Sequence, residues 1–308
     1  IKRTPVSTYR RQGRGGKGVA GSASREDDFV EHMFIASTHH YILFFTDKGR
    51  CYWLKVFEVP EGGRLARGRA IVNLINKQKD ENIAAFVTVK EFTDTEFIVM
   101  ATKKGTVKKT VLSAYGNPRS TGIIAINLDA GDDLVEAKIT DGKSDLLIAT
   151  RQGQAIRFSE TDVRDMGRNA TGVKGISLAD DDYVIGMIIC RANSNVLVVS
   201  EHGYGKRSEV SDYRHTRRGG KGVITMNITP KTGPVIGLKE VSDQDDLVII
   251  STKGQVIRQH VRSIRVMGRN TQGVRLINLQ EGDSIADIAR AAMEQDIKED
   301  ADATATES

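Results

Sequence analysis

Six glycines, Gly18, Gly68, Gly122, Gly172, Gly222 and Gly273, recur about fifty residues apart, and a fixed period of that length marks one supersecondary unit repeated in a propeller or array. Each follows a loop carrying lysine or arginine. Five open a short apolar run, as in Gly122-Ile-Ile-Ala-Ile-Asn-Leu128 and Gly273-Val-Arg-Leu-Ile-Asn-Leu279. A chain of this kind cannot gather one central core. Each unit has to bury its faces against its neighbours.

A second marker keeps the same register. The turns Thr46-Asp-Lys-Gly49, Thr102-Lys-Lys-Gly105, Thr150-Arg-Gln-Gly153, Ser200-Glu-His-Gly203 and Thr252-Lys-Gly254 each separate a pair of strand-like runs, such as Phe97-Ile-Val-Met100 and Thr106-Val-Lys-Lys-Thr110. Short apolar runs joined by a glycine turn are β-hairpins. The runs Asp133–Ile139 and Tyr183–Ile189, together with the strand after the phased glycine, bring the expected count to four strands per repeat. Four-stranded blades around an axis leave only short edges. No amphipathic helix of useful length competes, so the expected fold is all-β.

At the amino end, Ile1-Lys-Arg-Thr4 aligns with Val107-Lys-Lys-Thr110, so the chain enters its first repeat just after the hairpin turn and is expected to be a fragment. Ser284–Ala291 occupies the phase of a blade's first strand, although its alanine content favours helix. The expected architecture is a six-bladed propeller over residues 1–293, with its first blade incomplete.

Residues 294–308 form an acidic tail. Glu294, Asp296, Glu299, Asp300, Asp302 and Glu307 stand against Lys298 alone, a net of −5, so a chain of formal net charge +5 carries about +10 in residues 1–293. The tail is poor in apolar residues and is expected to be disordered. A basic body with an acidic end suits a polyanionic ligand and an internal competitor for it; a solubilising tail is the plainer reading. Cys51 and Cys190 fall in or beside apolar strands, which fits reduced core thiols and a cytoplasmic setting. No apolar run approaches membrane-spanning length and no signal peptide is visible.

The loops carry the functional signal. Gln12-Gly-Arg-Gly-Gly-Lys-Gly18 has a near copy in Thr216-Arg-Arg-Gly-Gly-Lys-Gly222. Adjacent glycines let a backbone approach a phosphate and expose successive amides, while Arg14, Lys17, Arg217, Arg218 and Lys221 supply charge. Neither copy is a nucleotide-binding P-loop, since glycine follows the lysine where Ser or Thr is required. Two further loops, Arg164–Gly172 and Arg265–Gly273, share Met-Gly-Arg-Asn before the phased glycine. Arg64, Arg67 and Arg69 occupy the second loop and Arg119 the third. A solvated basic turn explains one such loop, but here the sequences differ while positive charge persists.

A curved positive rim suits double-stranded DNA. Aromatic residues make up 6% of the chain and do not cluster in the loops, which disfavours single-strand binding by base stacking. Nothing resembles a recognition helix, so contacts fall mainly on phosphates. A compact chain of this size has a radius on the order of 25 Å, and half a turn of DNA around it costs on the order of 10 kcal/mol. Several phosphate contacts per loop are needed to offset that.

The segment Gln12–Gly18 resembles the box that marks the C-terminal domain of the DNA gyrase A subunit. The sequences around Gly105-Thr-Val-Lys-Lys-Thr110 and Met267-Gly-Arg-Asn-Thr-Gln-Gly273 are similar to that family as well. One departure is Gly13, where the family often has arginine; Arg10, Arg11 and Arg14 flank it. The resemblance runs from Ile1 to about Ala291. It implies a six-bladed β-pinwheel that wraps DNA around its basic perimeter, with Gln12, Gly13, Arg14, Gly15, Gly16, Lys17 and Gly18 needed for the wrap. The other expected contacts are Arg67, Arg69, Arg119, Arg168, Lys174, Arg217, Arg218, Lys221, Arg269 and Arg275. It also implies a bacterial, nucleoid-associated dimer of gyrase A subunits, joined by the gyrase B subunits in an A2B2 enzyme that uses ATP and Mg. The cleaving tyrosine and the ATPase site lie elsewhere in that enzyme, and Tyr9, Tyr115 and Tyr213 are expected to be structural.

Three alternatives stand beside this one. The related topoisomerase IV protein has degenerate boxes and usually fewer blades. A protein-binding propeller lacks support from a Trp-Asp signature, since Trp53 is the sole tryptophan. Stand-alone catalysis finds only scattered histidines, with no metal-ligand spacing to the cysteines.

Overall fold

Both faces of a propeller's inner strands are covered by neighbouring blades, and the sequence shows it as continuous rather than alternating apolar runs. The structure, a computed structural model, describes residues 1–5, 36–63, 66, 68–253 and 255–291. The second repeat supplies β1 (Tyr41–Thr46), β2 (Arg50–Lys55) and β3 (Ile83–Val89). The third supplies β4 (Phe97–Thr102), β5 (Thr106–Val111), β6 (Ile123–Ile124) and β7 (Leu134–Thr140). The fourth gives β8 (Asp145–Thr150), β9 (Gln154–Ser159), β10 (Val173–Lys174) and β11 (Val184–Cys190). The fifth gives β12 (Asn195–Ser200), β13 (Tyr204–Glu209), β14 (Val223–Ile224) and β15 (Val235–Val241). The last gives β16 (Asp246–Ser251), β17 (Val256–His260), β18 (Val274–Arg275) and β19 (Ile285–Ala291).

These strands form five sheets, in the orders β3-β1-β2-β6, β10-β5-β4-β7, β11-β8-β9-β14, β15-β12-β13-β18 and β17-β16-β19. The expected six blades are therefore corrected to five among the described residues. Most of the first repeat lies outside them, and Ile1–Thr4 contributes only an edge strip. That strip keeps its expected phase: the Arg3–Glu61 parallel bridge matches the Lys109–Asp165 bridge.

The assembly of each blade also differs from the expectation. Four strands per repeat is right for the third, fourth, fifth and last repeats, but the four do not share a sheet. The two-residue strand after each phased glycine crosses to the preceding blade, so β6 pairs with β2, β10 with β5, β14 with β9 and β18 with β13. The long strands β3, β7, β11, β15 and β19 pack on one another in succession around the inside.

Blade-to-blade packing makes the core. In β4, Ile98 and Met100 face the preceding blade with Leu43, Phe45 and Leu134, while Val99 and Ala101 face the following one with Leu146, Ile148 and Phe158. All of them are essentially buried, and each large aliphatic or aromatic side chain among them contributes about 1.5–3 kcal/mol. The hairpin turns are closed by hydroxyls: the Oγ1 of Thr46, Thr102 and Thr150 accepts from the backbone N–H of Arg50, Thr106 and Gln154, each at 3.2 Å. The alanine-rich end is strand after all, because pairing with β16 buries Ile285 and Ile288 and outweighs helix propensity.

Candidate nucleic-acid interface

Each basic loop from the fourth repeat onward follows one route. After a short 3-10 turn (Glu160–Asp162, Val210–Asp212 or Val261–Ser263), the chain makes a single parallel bridge to the hairpin of the preceding blade. The N–H of Met166, Thr216 and Met267 donates to the carbonyl of Lys109, Arg157 and Arg207 at 2.9, 3.0 and 2.9 Å. The chain then bends through the basic residues, passes the phased glycine and adds its two-residue outer strand. The glycine is a geometric necessity at this crossing. Gly172 has φ 114°, and a Cβ there would lie 2.6 Å from the Val107 carbonyl oxygen.

Three of the expected contact residues hold this crossing together. The Arg168 guanidinium donates to Ile124 O at 3.0 Å. Arg218 donates to Lys174 O at 3.0 Å and Asp162 O at 2.9 Å. Arg269 donates to Ile224 O at 2.9 Å and Asp212 O at 3.2 Å. Each arginine thus binds the backbone of the outer strand one blade back. Their charge stays near the rim, but their donors are partly committed.

The floor beneath the loops alternates from blade to blade. Lys2, Lys108 and Lys206 occupy one position of the hairpin's second strand, and Tyr52 and Ile156 occupy it in the blades between. Lys2 Nζ donates to Gly63 O at 3.2 Å and Ala66 O at 2.8 Å. Lys108, fully buried, donates to Ala125 O at 2.6 Å and to Arg168 O. Lys206, also fully buried, donates to Gly268 O at 2.8 Å and to Arg269 O. Burial lowers the Lys108 ammonium to about 7, with the Arg168 charge adding to the effect. Burial likewise lowers Lys206 to about 8, opposed by Asp212 and assisted by Arg269.

The remaining expected residues divide clearly. Lys174, Arg217, Lys221 and Arg119 are exposed, and their side chains make no hydrogen bond or ion pair among the described residues. Arg69 is exposed and is held through its backbone by Ile1. Arg275 donates to the Tyr204 hydroxyl at 2.8 Å and lies over its ring, and this partnership lowers the Tyr204 pKa. The box residues Gln12, Gly13, Arg14, Gly15, Gly16, Lys17 and Gly18, and Arg67, lie outside the described residues, as do Tyr9 and residues 294–308.

One row of cations stands outside the expected set. Arg164, Arg214 and Arg265 each precede the bridging residue, are exposed, and make no hydrogen bond or ion pair through their side chains among the described residues. All three lie eight positions ahead of a phased glycine, so the repeat period alone is enough to find them. Tyr115 and Tyr213 are fully buried, as expected of structural residues. The Tyr213 hydroxyl meets Thr225 Oγ1 at 2.6 Å, and burial raises its pKa to about 12. Burial also raises both thiols, Cys51 strongly and Cys190 to about 12. Among the described residues no three His, Cys, Asp or Glu side chains converge to hold a metal ion, and no helix is long and apolar enough to cross a membrane.

The family model described as DNA gyrase C-terminal domain, beta-propeller, matches residues 1–37, 40–89, 96–141, 144–191, 194–242 and 245–292. The chain is 55% identical over 296 residues to the DNA gyrase A subunit of Halalkalibacterium halodurans, covering 96% of this chain and 36% of that protein. It is 49% identical over 290 residues to the DNA gyrase A subunit of Clostridium acetobutylicum, covering 94% and 35%. The chain therefore spans about a third of the length of these curated relatives. Among solved structures, the C-terminal domain of DNA topoisomerase IV superposes with a TM-score of 0.83 at 25% identity, covering 99% of this chain and 94% of that one. A DNA gyrase A C-terminal domain superposes with a TM-score of 0.75 at 24% identity, covering 94% and 95%, and shows the shared fold. With a family match over nearly its whole length and the bladed fold to accompany it, the chain belongs to the DNA gyrase C-terminal domain, beta-propeller, family.

Proposed function

We propose that this domain binds double-stranded DNA along its basic rim and bends it into the chiral wrap with which DNA gyrase introduces negative supercoils. The observation that carries this reading is the recurrence of uncommitted cations on the blade-crossing loops: Arg164, Arg214 and Arg265 in one row, with Lys174, Arg217 and Lys221 beside them. Rows of point charges without a base-reading element favour phosphate contacts over sequence readout. The box, Gln12–Gly18, anchors one end of the wrap. The domain acts within a dimer of gyrase A subunits, joined by gyrase B subunits, in a cytoplasmic enzyme that takes ATP and Mg at sites outside this chain.

The test is topological. The domain is bound to nicked plasmid, the nick is sealed with ligase, and the linking number is measured against protein concentration. A protein-dependent positive shift is expected. Binding without any shift sinks the wrapping claim and leaves a DNA-binding propeller, the outcome that favours the topoisomerase IV reading supported by the 0.83 superposition.

A further inference from the structure

The two Met-Gly-Arg-Asn loops share one arrangement. In each, the arginine's own carbonyl is drawn inward onto a fully buried ammonium: Arg168 O onto Lys108, and Arg269 O onto Lys206, which also takes Gly268 O at 2.8 Å. A trans peptide points its N–H opposite to its C=O. The amides of Asn169 and Asn270, and that of Arg269, are therefore turned away from the ammonium. None of the three makes a hydrogen bond among the described residues, and Asn169 and Asn270 are exposed.

Outward amides backed by a buried cation make an anion site. The N–H groups supply fixed donors, and the ammonium behind them adds a field that water screens weakly. Cations without a side-chain partner among the described residues flank each loop, Arg164 and Lys174 at the first and Arg265 at the second. Asp165 works against an anion at the first loop, but it is met by Lys109 at 3.6 Å.

The loop between them provides an internal contrast. Gly219 holds the position of Asn169 and Asn270, three residues before its phased glycine. Its N–H is bonded inward to Gly175 O at 2.6 Å, and the floor beneath that loop is Ile156. The amide at the position matched to Asn169 and Asn270 is thus turned inward.

We propose that the turns at Arg168–Asn169 and Gly268–Asn270 are two equivalent binding sites for DNA phosphodiester groups, formed by backbone amides and positioned by Lys108 and Lys206. The duplex is then gripped through main-chain donors on alternate blades, the intervening loop having its matching amide, Gly219, turned inward. This rests on the DNA-binding reading above. The lowered pKa values of both lysines agree with it, since a phosphate overhead favours their charged forms and couples binding to proton uptake near neutral pH.

The experiment is a titration of the deuterated, 15N-labelled chain with a short DNA duplex, followed by amide correlation spectra, with a gel-shift of the same duplex at low salt. The Asn169 and Asn270 amides are expected to move together as the duplex is added, while Gly219 stays in place. In the double variant K108M/K206M those two shifts are lost and duplex affinity falls about tenfold per site, the size of one charge-assisted contact. Binding that leaves Asn169 and Asn270 unmoved, or moves Gly219 equally, overturns these sites while the DNA reading stands. A chain that retards no duplex overturns both. The wild-type spectrum decides the matter even if the variant does not fold.

Discussion

The carbonyl of Arg168 rests on the buried ammonium of Lys108, while the Arg168 guanidinium reaches Ile124 O at 3.0 Å. Lys108 belongs to β5 and Ile124 to β6, the outer strand of the sheet before it. One arginine thus ties its own loop to two successive blades. Arg269 repeats the relationship with Lys206 and Ile224. Displacing one such loop would disturb the neighbouring sheet, which suits the wrap of DNA proposed above.

The two lysines give a pH dependence of definite sign. Their folded pKa values, about 7 and about 8, lie below the usual lysine value of 10.5, so between these limits the unfolded chain holds more protons. Stability is lowest below pH 7 and rises toward pH 10, by at most about 1.4 kcal/mol per pH unit for each lysine. Thermal melts at pH 7 and pH 9 are expected to show a higher Tm at pH 9, and K108M/K206M to flatten the difference. A wild-type curve that falls over this range would show that the ammonium groups are not penalised by burial.

Glycine is required at the blade crossing and not within the loop ahead of it. Gly172 and Gly273 have φ of 114° and 78°, and a Cβ would approach a carbonyl oxygen to 2.6 and 2.5 Å, whereas Gly167 and Gly268 face open space. G172A and G273A should each lose at least about 1–2 kcal/mol from the left-handed backbone alone. G167A and G268A should stay within about 0.5 kcal/mol. Urea unfolding of the four variants checks the contrast, and equal losses would remove it.

Committed and uncommitted cations should separate in salt titrations of DNA binding. K174A and K221A each remove an exposed charge with no partner among the described residues. Each is expected to lower the slope of log K against log salt by about one unit with little change in Tm. R168M and R269M remove the inter-blade bonds, so their larger effect should be on Tm. The opposite ranking would mean that the stitched arginines, not the free lysines, carry the phosphates.

Arg290 closes the inner side of the last blade. It donates to Asp245 at 3.0 Å and to Glu240 on β15 at 3.3 Å, and the Asp245 side chain is 1% exposed. R290M leaves that carboxylate buried without its cation and is expected to cost about 1–3 kcal/mol, less than for a fully buried pair because Arg290 is itself 30% exposed. Adding D245N should recover some of the loss, since a neutral amide needs no counter-charge. Chemical denaturation of the single and double variants measures this.

Much of this is legible from residue order. The period, the hairpins and their turns follow from spacing and apolar runs, and the alignment of Ile1–Thr4 with Val107–Thr110 is confirmed by the matching parallel bridges of Arg3 and Lys109. That Arg168, Arg218 and Arg269 donate to backbone carbonyls is not legible, because a guanidinium looks the same in sequence whether it faces solvent or a neighbouring carbonyl. Arg164, Arg214 and Arg265 keep one phase of the repeat but stand outside the glycine-rich segments, where charge carries no local mark of its use.

The sequence by itself determined the repeated all-β unit, since a fifty-residue period of short apolar runs has no other compact solution than stacking its copies. It also determined the sign of the rim, because charge survives any arrangement of the loops that carry it. Only the tertiary structure decided which blade each outer strand completes: Ile123–Ile124 could pair within its own sheet as readily as with β2, and local propensity does not distinguish the two. It likewise decided that Lys108 and Lys206 are floor and not surface, because a lysine goes inward only where carbonyls from a distant loop replace the water its ammonium gives up.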